Sequence, residues 1–173
     1  MTPDVQFHPE KIAPTAYVAP NATVVGDVTL GDESSLWFGV IARGDVDAIV
    51  IGPQTNVQDG VILHAAVGLP CRLGARVTVG HGAVVHAATV EDDVLVGTRA
   101  TVLDGACIGR GSLVAAGTLI PPGMVVPPGV VVMGAPGKVV RAVTAQDEEL
   151  IRVSAQHYCD YARRYREAGP RTG

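Results

Sequence analysis

Aromatic side chains are scarce in this sequence. Phe, Trp and Tyr together make up 4% of the 173 residues, whereas hydrophobic residues of all kinds reach 47%. A core with so few rings must be thin, and a filling of Val, Ile, Leu and Ala is typical of β-structure packed in narrow layers. The 21 glycines and 12 prolines predict frequent corners. A chain of this length is expected to form one domain with at most one appendage.

Charge is sparse as well, at 17% of residues with a net charge of −4, and no run of five like charges occurs. This excludes the basic footprint of a nucleic-acid-binding protein and a polybasic membrane patch. The first residues lack a basic stretch followed by an apolar core, and prolines and glycines interrupt the most apolar segment, 120–140. We therefore expect neither secretion nor a membrane span. Cys71, Cys107 and Cys159 are odd in number and widely spaced, which favours reduced thiols in a cytoplasm.

An aliphatic residue recurs at every sixth position through most of the chain, and the residue after it is often Gly, which predicts a corner there. In an α-helix, residues six apart would point in different directions around the axis. In an antiparallel meander, a turn at every sixth residue would leave strands too short to pair stably. The pattern predicts a parallel β-helix with three sides and about eighteen residues per coil, whose aliphatic residues point inward. The nineteen frame positions are Ile12, Val18, Val24, Leu30, Leu36, Ile51, Val57, Leu63, Leu73, Val79, Val85, Val90, Val96, Val102, Ile108, Val114, Ile120, Val126 and Val132.

The sequence changes character at Thr144. The segment Thr144-Ala-Gln-Asp147 matches a capping box at the start of a helix. One face of that helix is marked by Leu150, Ile151, Ser154, Tyr158, Tyr161, Ala162 and Tyr165. We therefore expect a β-helix over residues 1–143 and a C-terminal α-helix over residues 144–169, packed along the outside of the β-helix or across a subunit boundary.

Three steps break the six-residue spacing: from 36 to 51, from 63 to 73 and from 85 to 90. The polar residues that are candidates for a site cluster in and around these breaks. They are Arg43, Asp45, Asn56, Gln58, Asp59, His64, His81 and His86.

None of the three histidines takes an inward position, so we expect His64, His81 and His86 to project outward. Seventeen residues separate His64 from His81, close to one coil, which predicts that they lie in nearly the same column of adjacent coils. His86 should lie almost one side further on. His8 and His157 have no comparable surroundings.

Three neutral imidazoles with an open fourth position suit a catalytic Zn²⁺, whereas a structural zinc site is closed and usually contains Cys. No cysteine lies at a matching spacing. Fe²⁺ or Co²⁺ could occupy the same three ligands. A metal held in this way lowers the pKa of bound water to about 7 and so supplies hydroxide at neutral pH for the hydration of an electrophile.

The repeat over residues 12–136 resembles that of the hexapeptide-repeat proteins. Among the hexapeptide-repeat proteins, the chain is similar to the gamma-class carbonic anhydrases in the order, spacing and type of its polar motifs. These motifs are Arg43-Gly44-Asp45, Asn56-Val57-Gln58-Asp59, His64, and Gly80-His81-Gly82 with His86. The resemblance implies a left-handed parallel β-helix and a homotrimer. It also implies that His64 and His86 of one subunit and His81 of its neighbour bind the metal, so that each site lies at a subunit interface.

The resemblance further implies roles for the polar neighbours. Gln58 would hydrogen-bond the metal-bound hydroxide, with Asn56 nearby. Arg43 would pair across the interface with Asp45 or Asp59 and help to hold bicarbonate. A purely structural interface ion pair is the alternative for these three charged residues.

Two departures from the best-known members of the class bear on activity. Val46 stands where those proteins carry a Glu, and residues 65–71 form a short uncharged segment where they carry an acidic loop with a proton-shuttling Glu. The chain is most similar to the shorter, loop-less branch, in which a Tyr of the C-terminal helix approaches the metal. Tyr158 is the candidate, with packing as the alternative. Without an evident group to export the proton, activity is expected to be weak, conditional or absent.

The main hypothesis is therefore a trimeric, zinc-dependent carbonic anhydrase that interconverts CO₂ and bicarbonate through metal-bound hydroxide. The second is an acyltransferase or acyl-CoA thioesterase, since many hexapeptide-repeat proteins transfer acyl groups at subunit interfaces. Such transferases typically need one basic His rather than three in ligand spacing. The third is a non-catalytic subunit that binds a metal or small ligand.

Overall fold

The computed structural model describes residues 2–169 of the chain. Its strands wind into a left-handed parallel β-helix of about six turns, with an α-helix after it, which confirms the predicted fold class. A short 3-10 helix, Pro9–Lys11, precedes the first strand. The strands are β1 (Tyr17–Val18), β2 (Thr23–Leu30), β3 (Ser35–Leu36), β4 (Ile41–Ile51), β5 (Asn56–Val57), β6 (Ile62–His64), β7 (Cys71–Leu73), β8 (Thr78–Val79), β9 (Val84–His86), β10 (Thr89–Val90), β11 (Leu95–Val96), β12 (Thr101–Val102), β13 (Cys107–Ile108), β14 (Leu113–Val114), β15 (Leu119–Ile120), β16 (Val125–Val126), β17 (Val130–Met133) and β18 (Lys138–Ala142), and the helix is α1 (Ala145–Ala168).

The β-helix has three faces of parallel strands. The first face contains β1, β3, β5, β8, β11, β14 and β17, and β18 pairs antiparallel with β17 at its end. The long strands β2 and β4 turn a corner, so that their first residues belong to the second face and their last residues to the third. The second face continues through β6, β9, β12 and β15, and the third through β7, β10, β13 and β16.

The interior is filled by the aliphatic frame. All frame residues are buried except Ile12, Val18 and Val24, which are partly buried and pack against the core at its N-terminal end. This core cluster, taken over residues 2–169, contains no aromatic ring. The scarcity of rings in the sequence thus follows from a prism too narrow to hold them.

The first break in the repeat is shorter than the sequence predicted. Ala42 is fully buried and lies in register with Val24 and Leu63, so it occupies an inward frame position. Only the step from Ala42 to Ile51 exceeds six residues, and the pairing of β2 with β4 is irregular there. Ala42 does not stand out in a period of Ile, Leu and Val because its side chain is small.

The other two breaks lie at the corner between the second and third faces. The second is a loop between β6 and β7, closed by a bridge between Ala66 and Leu69, and its Gly68 N–H donates to the Asp47 carboxylate at 2.9 Å. In the third break, Ala87 adopts a φ of +48° between β9 and β10. The loop lengthens its coil, whereas the tight turn at Ala87 shortens the next one.

The glycines that follow frame residues serve the close stacking of coils rather than the turns, which corrects the corner role predicted for them. A Cβ on Gly52, for example, would lie 2.5 Å from the backbone carbonyl of Gly74 in the next coil. The left-handed backbone of the turns falls two positions later, as at Gly60 with a φ of +69°. At glycines such as Gly52, a side chain is excluded because the next coil leaves no space for it. At glycines such as Gly60, a side chain is disfavoured because it would strain the left-handed backbone.

Helix α1 begins with the capping box. The Thr144 hydroxyl accepts from the Asp147 N–H at 3.3 Å, and the Asp147 carboxylate accepts from the Thr144 N–H at 2.7 Å. Hydrogen bonds from Arg141 and then from Thr144 hold the pKa of Asp147 well below its usual range. The helix lies on the first face, where it contacts β1, β3, β5 and β8. Its buried residues are Ile151, Ala155, Cys159 and Ala162.

Six of the seven aromatic residues gather between α1 and the first face. Trp37 lies at the centre, with ring centroids 5.2 Å from Tyr17, 5.2 Å from Tyr158 and 5.1 Å from Tyr165. Phe38 and Tyr161 contact this group from its edges. We call these six residues the aromatic cluster. Its rings join the helix to the β-helix, and each ring pair adds about 0.5–1.5 kcal/mol of stability beyond that of burying its apolar surface.

No helix within residues 2–169 has the length and hydropathy needed to cross a membrane. None of the three cysteines, all of which are described, forms a disulfide.

Two neighbouring valines of β16 test the inward and outward assignment with the same chemical change. Val126 is 1% exposed and Val125 is 72% exposed. We expect Val126→Ala to lower the free energy of unfolding by about 2 kcal/mol, because it removes buried methyl groups and leaves a cavity. Val125→Ala should change it by less than about 0.5 kcal/mol. Denaturant titration of both variants measures the difference, and equal effects would contradict the assignment.

The thiols should differ in reactivity because only the thiolate is nucleophilic. Burial raises the pKa of all three thiols, to about 12 for Cys71 and to about 11 for Cys159, and Cys107 alone of the three is partly exposed. We expect a thiol-reactive dye to label the partly exposed Cys107 in the folded protein and the other two only after denaturation. A Cys107→Ser variant should lose the early phase, and rapid labelling of Cys71 would show that its site is open.

Candidate functional site

The candidate site residues lie in two groups at opposite edges of the second face. One group stands where the coils pass from the second face to the third; we call it the histidine-pair edge, and it contains Arg43, Asp45, His64 and His86. The other stands where the coils pass from the first face to the second, beneath α1; we call it the His81 edge, and it contains Asn56, Gln58, Asp59, His81 and Tyr158.

At the histidine-pair edge, the stacking of coils brings the two imidazoles together. Arg43, His64 and His86 occupy equivalent positions of β4, β6 and β9, each directly after a buried frame residue. The prediction that His64 and His81 share a column was wrong. The loop after β6 lengthens that coil, so the residue stacked on His64 is His86, which is 22 residues away rather than 17.

The two ring nitrogens of this pair face each other. His64 Nδ1 lies 3.0 Å from His86 Nε2, and both side chains are partly buried. Ligands held about 2.0–2.1 Å from a tetrahedral Zn²⁺ lie about 3.3 Å from one another. The separation therefore fits two imidazoles that share a proton, and with a small adjustment it fits two that share a metal ion.

Carboxylates occupy the far side of both rings. Asp45 Oδ1 lies 3.2 Å from His64 Nε2, and Asp104 Oδ1 lies 2.6 Å from His86 Nδ1. Arg43 donates to both oxygens of Asp45 within the same chain, at 2.8 and 2.9 Å. This bond from Arg43 is the main cause that holds the pKa of Asp45 below its usual range, so Asp45 is an anion at neutral pH.

Asp104 is the residue that sequence reasoning missed. It follows β12 at the same edge, eighteen residues after His86. The coil between them spans 17 residues, since Val102 stacks on Val85, so Asp104 is one position out of register with His86 and reaches it with its side chain. The usable signal was that a polar residue about one coil beyond a candidate ligand lies close to it in the stack.

At the His81 edge, His81 is about half exposed and its Nδ1 lies 2.9 Å from the Asp59 carboxylate. The Tyr158 hydroxyl approaches the other ring nitrogen, Nε2, at 3.5 Å. Tyr158 packs edge-on against Trp37, and burial raises its pKa. Tyr158 therefore belongs both to the aromatic cluster and to the surroundings of His81.

The two amides of this edge are buried and held by hydrogen bonds. Gln58 Nε2 donates to Asn56 Oδ1 at 3.1 Å, and Asn56 Nδ2 donates to the Thr78 hydroxyl at 2.9 Å. Asn56 and Thr78 are stacked at equivalent positions of β5 and β8. Within residues 2–169 these amides bond to their own edge and not to the histidine pair.

The surface that separates the two edges is apolar. Ile41, Ile62 and Val84 are stacked in register on the outside of the second face. Ile41 is 40% exposed and Ile62 is 41% exposed. This exposed aliphatic row is a candidate surface for contact with another molecule.

A single chain does not complete a three-ligand metal site. Within residues 2–169, no group of three or more His, Cys, Asp or Glu side chains is arranged to hold a metal ion. The chain instead offers two converging imidazoles at one edge and a third imidazole at the opposite edge of the same face.

No family model matches the chain. It is 46% identical over 148 residues to the carbonic anhydrase of Geobacillus kaustophilus, which covers 85% of this chain and 81% of that protein. It is 43% identical over 152 residues to the mitochondrial gamma carbonic anhydrase 2 of Arabidopsis thaliana, which covers 84% of this chain. The chain spans 55% of that longer relative, about half its length. Among solved structures, a hexapeptide transferase family protein from Anaplasma phagocytophilum superposes with a TM-score of 0.87 at 36% identity, over 90% of this chain and 92% of that one.

Substitutions at Tyr158 separate the packing of its ring from the contact of its hydroxyl with His81. Tyr158→Phe keeps the ring against Trp37, so we expect the free energy of unfolding to change by less than about 0.5 kcal/mol. Tyr158→Ala removes a partly buried ring and should cost about 2–3 kcal/mol. Denaturant unfolding measures both, and a Phe variant as unstable as the Ala variant would show that the hydroxyl stabilises this edge.

Proposed function

The chain belongs to the gamma carbonic anhydrase family of hexapeptide-repeat proteins, and we propose that it catalyses the hydration of CO₂ to bicarbonate as a metal-dependent homotrimer. The observation that carries this proposal is the division of the site. Two imidazoles stand at one edge of the second face and the third at the opposite edge, with an exposed aliphatic surface between them.

A ring of three subunits is the simplest assembly that completes such a site. When the second faces turn toward a threefold axis, the histidine-pair edge of one subunit meets the His81 edge of the next, and every interface is the same. The exposed side chains Ile41 and Ile62 then leave water, which favours the association. Each trimer would contain three complete sites.

The residues fit a metal in number and type. His64 and His86 of one subunit and His81 of its neighbour would hold it, with one position left open, as in catalytic zinc sites. Zn²⁺ suits three imidazoles, and Fe²⁺ and Co²⁺ suit them as well. When bound, the metal supplies a Lewis acid that lowers the pKa of a coordinated water to about 7.

The other site residues would bind and orient the substrate. Arg43 has a half-exposed guanidinium that Asp45 holds in place, which suits the capture of anionic bicarbonate. Gln58 is buried and its amide is fixed by Asn56, so it can direct a hydrogen bond without reorganisation. The aliphatic surface around Ile62 suits an apolar substrate such as CO₂ and limits access of water.

Proton export is the weak step of the proposed reaction. Val46 and the uncharged loop after β6 offer no carboxylate to carry a proton away from the site. We therefore propose a slow carbonic anhydrase whose rate rises with the concentration of a small buffer such as imidazole, because the buffer then serves as the proton acceptor.

The similarity to a hexapeptide transferase family protein supports a second candidate, acyl transfer from an acyl-CoA. That chemistry needs one basic histidine and no metal. Elemental analysis of anaerobically purified protein, with CO₂ hydration and acyl-CoA turnover measured on the same sample, separates the two. A loaded metal site with neither activity would instead favour a non-catalytic binding subunit.

Complementation between two inactive variants tests the interface site. His81→Ala and His64→Ala should each lose metal and CO₂ hydration while remaining trimeric. In mixed trimers, the His81→Ala subunit still supplies the histidine pair and the His64→Ala subunit still supplies His81. Random mixing in equal amounts should therefore restore about a quarter of the wild-type sites and activity.

The matched control is His157→Ala, which removes an exposed histidine of α1 and should leave metal content and activity unchanged. Co-expression of the two variants with different affinity tags isolates the mixed trimers. If the mixed trimers recover neither metal nor activity, the three histidines do not meet at one subunit interface, and the proposed site is wrong.

A further inference from the structure

The contact between Asp104 and His86 is the shortest side-chain hydrogen bond made by any of the three candidate ligand histidines. Asp104 Oδ1 lies 2.6 Å from His86 Nδ1, and both side chains are partly exposed. The backbone at Asp104 is fixed, since its carbonyl accepts from the Gly123 N–H in the next coil at 2.8 Å. Within residues 2–169 the Asp104 side chain hydrogen-bonds to His86 alone.

This contact determines which ring nitrogen of His86 carries the proton. A carboxylate accepts hydrogen bonds, so the Nδ1 beside it must be the N–H, and in the neutral ring the lone pair is then on Nε2. Nε2 is the atom that faces His64 Nδ1 at 3.0 Å. The nitrogen that points into the proposed metal site is thus already the one able to bind a cation.

The other two candidate ligands have similar partners, but with differences. Asp59 lies 2.9 Å from His81 Nδ1, and Asp45 lies 3.2 Å from His64 Nε2. Asp45 also accepts two bonds from Arg43, so its carboxylate is shared between a guanidinium and an imidazole. Asp104 serves one ring only, and no Arg or Lys competes for it among the described contacts.

We infer that Asp104 is a positioning residue that holds His86 in its Nδ1-protonated form and fixes the ring orientation, and so tightens metal binding. The inference rests on the proposed function for its metal. A carboxylate or carbonyl on the far nitrogen of a ligand histidine orients the ring and raises its basicity, and its loss typically weakens metal affinity by about 10–100-fold.

A purely structural role for Asp104 is the alternative, because other corner carboxylates bond to neighbouring coils. Asp93 provides the matched control: its carboxylate pairs with Arg76 one coil away at 2.6 Å, at a corner that carries no candidate ligand. If Asp104 acts only as such a corner residue, Asp104→Asn and Asp93→Asn should have the same small effect on stability and neither should affect metal binding. Asn is used at both positions because it tolerates the left-handed φ of +58° at Asp93.

The first measurement is Zn²⁺ affinity of the full-length trimer by competition with a chelator. We expect Asp104→Ala to bind Zn²⁺ about 10–100-fold more weakly than wild type. Asp104→Asn should fall between them, because its amide oxygen still accepts from Nδ1–H without the negative charge. Asp93→Asn should match wild type. Equal affinities for wild type and Asp104→Ala would overturn the inference.

The second measurement needs no metal and so separates this inference from the proposed function. Metal-free protein labelled with ¹⁵N-histidine is compared by NMR at about pH 8, where an ordinary imidazole is neutral. His86 is assigned from a His86→Gln sample. We expect the Nδ1–H form to dominate in wild type and the Nε2–H form to gain population in Asp104→Ala. The same mixture of forms in both proteins would contradict the role of Asp104.

Each outcome distinguishes the two ideas. If wild type binds no Zn²⁺, the proposed function fails, and the NMR comparison alone decides whether Asp104 sets the form of His86. If wild type binds Zn²⁺ and the Asp104 variants bind it equally well, the inference fails and the proposed function stands. Should Asp104→Ala fail to fold, the intermediate affinity expected of Asp104→Asn provides the same test.

Discussion

The register between stacked coils is the constraint on which the rest of this structure depends. Parallel strands one above another lie about 4.8 Å apart, so outward residues at equivalent positions are neighbours whatever their distance in sequence. His64 and His86 are brought to 3.0 Å in this way, and Asn56 reaches Thr78 by the same route. Polar contacts at the surface are therefore a direct product of an apolar core that holds every coil in step.

Irregularities in the repeat change how far apart in sequence the stacked residues lie. The loop between β6 and β7 lengthens one coil, and the tight turn at Ala87 shortens the next. Because the frame residues on either side of the loop stay in register, His86 stacks on His64 although 22 residues separate them. The extra residues are confined to the corner, so the stacking at the histidine-pair edge is kept.

Much of this architecture follows from the sequence, because a six-residue aliphatic period is compatible with few folds. The inward residues and the capping box at Thr144 were predicted correctly. Ala42 was missed because a small residue carries little signal in a count of large aliphatics. Asp104 carries no signal of its own in the sequence because the aliphatic period around it is regular. The separation of His81 from the histidine pair depends on which corner each residue occupies, and spacing alone misjudged it.

The three-faced winding also limits how a gene for such a chain can change in length. Removing six residues deletes one side of the prism, so every later side chain would point a third of a turn away from its former direction. Removing a whole coil preserves direction and shifts the remainder along the axis. Insertions confined to a corner, like the loop before β7, leave later directions intact. Length variation among proteins of this shape should therefore concentrate in whole coils beyond β12 and in corner loops, and avoid single sides between Arg43 and His86.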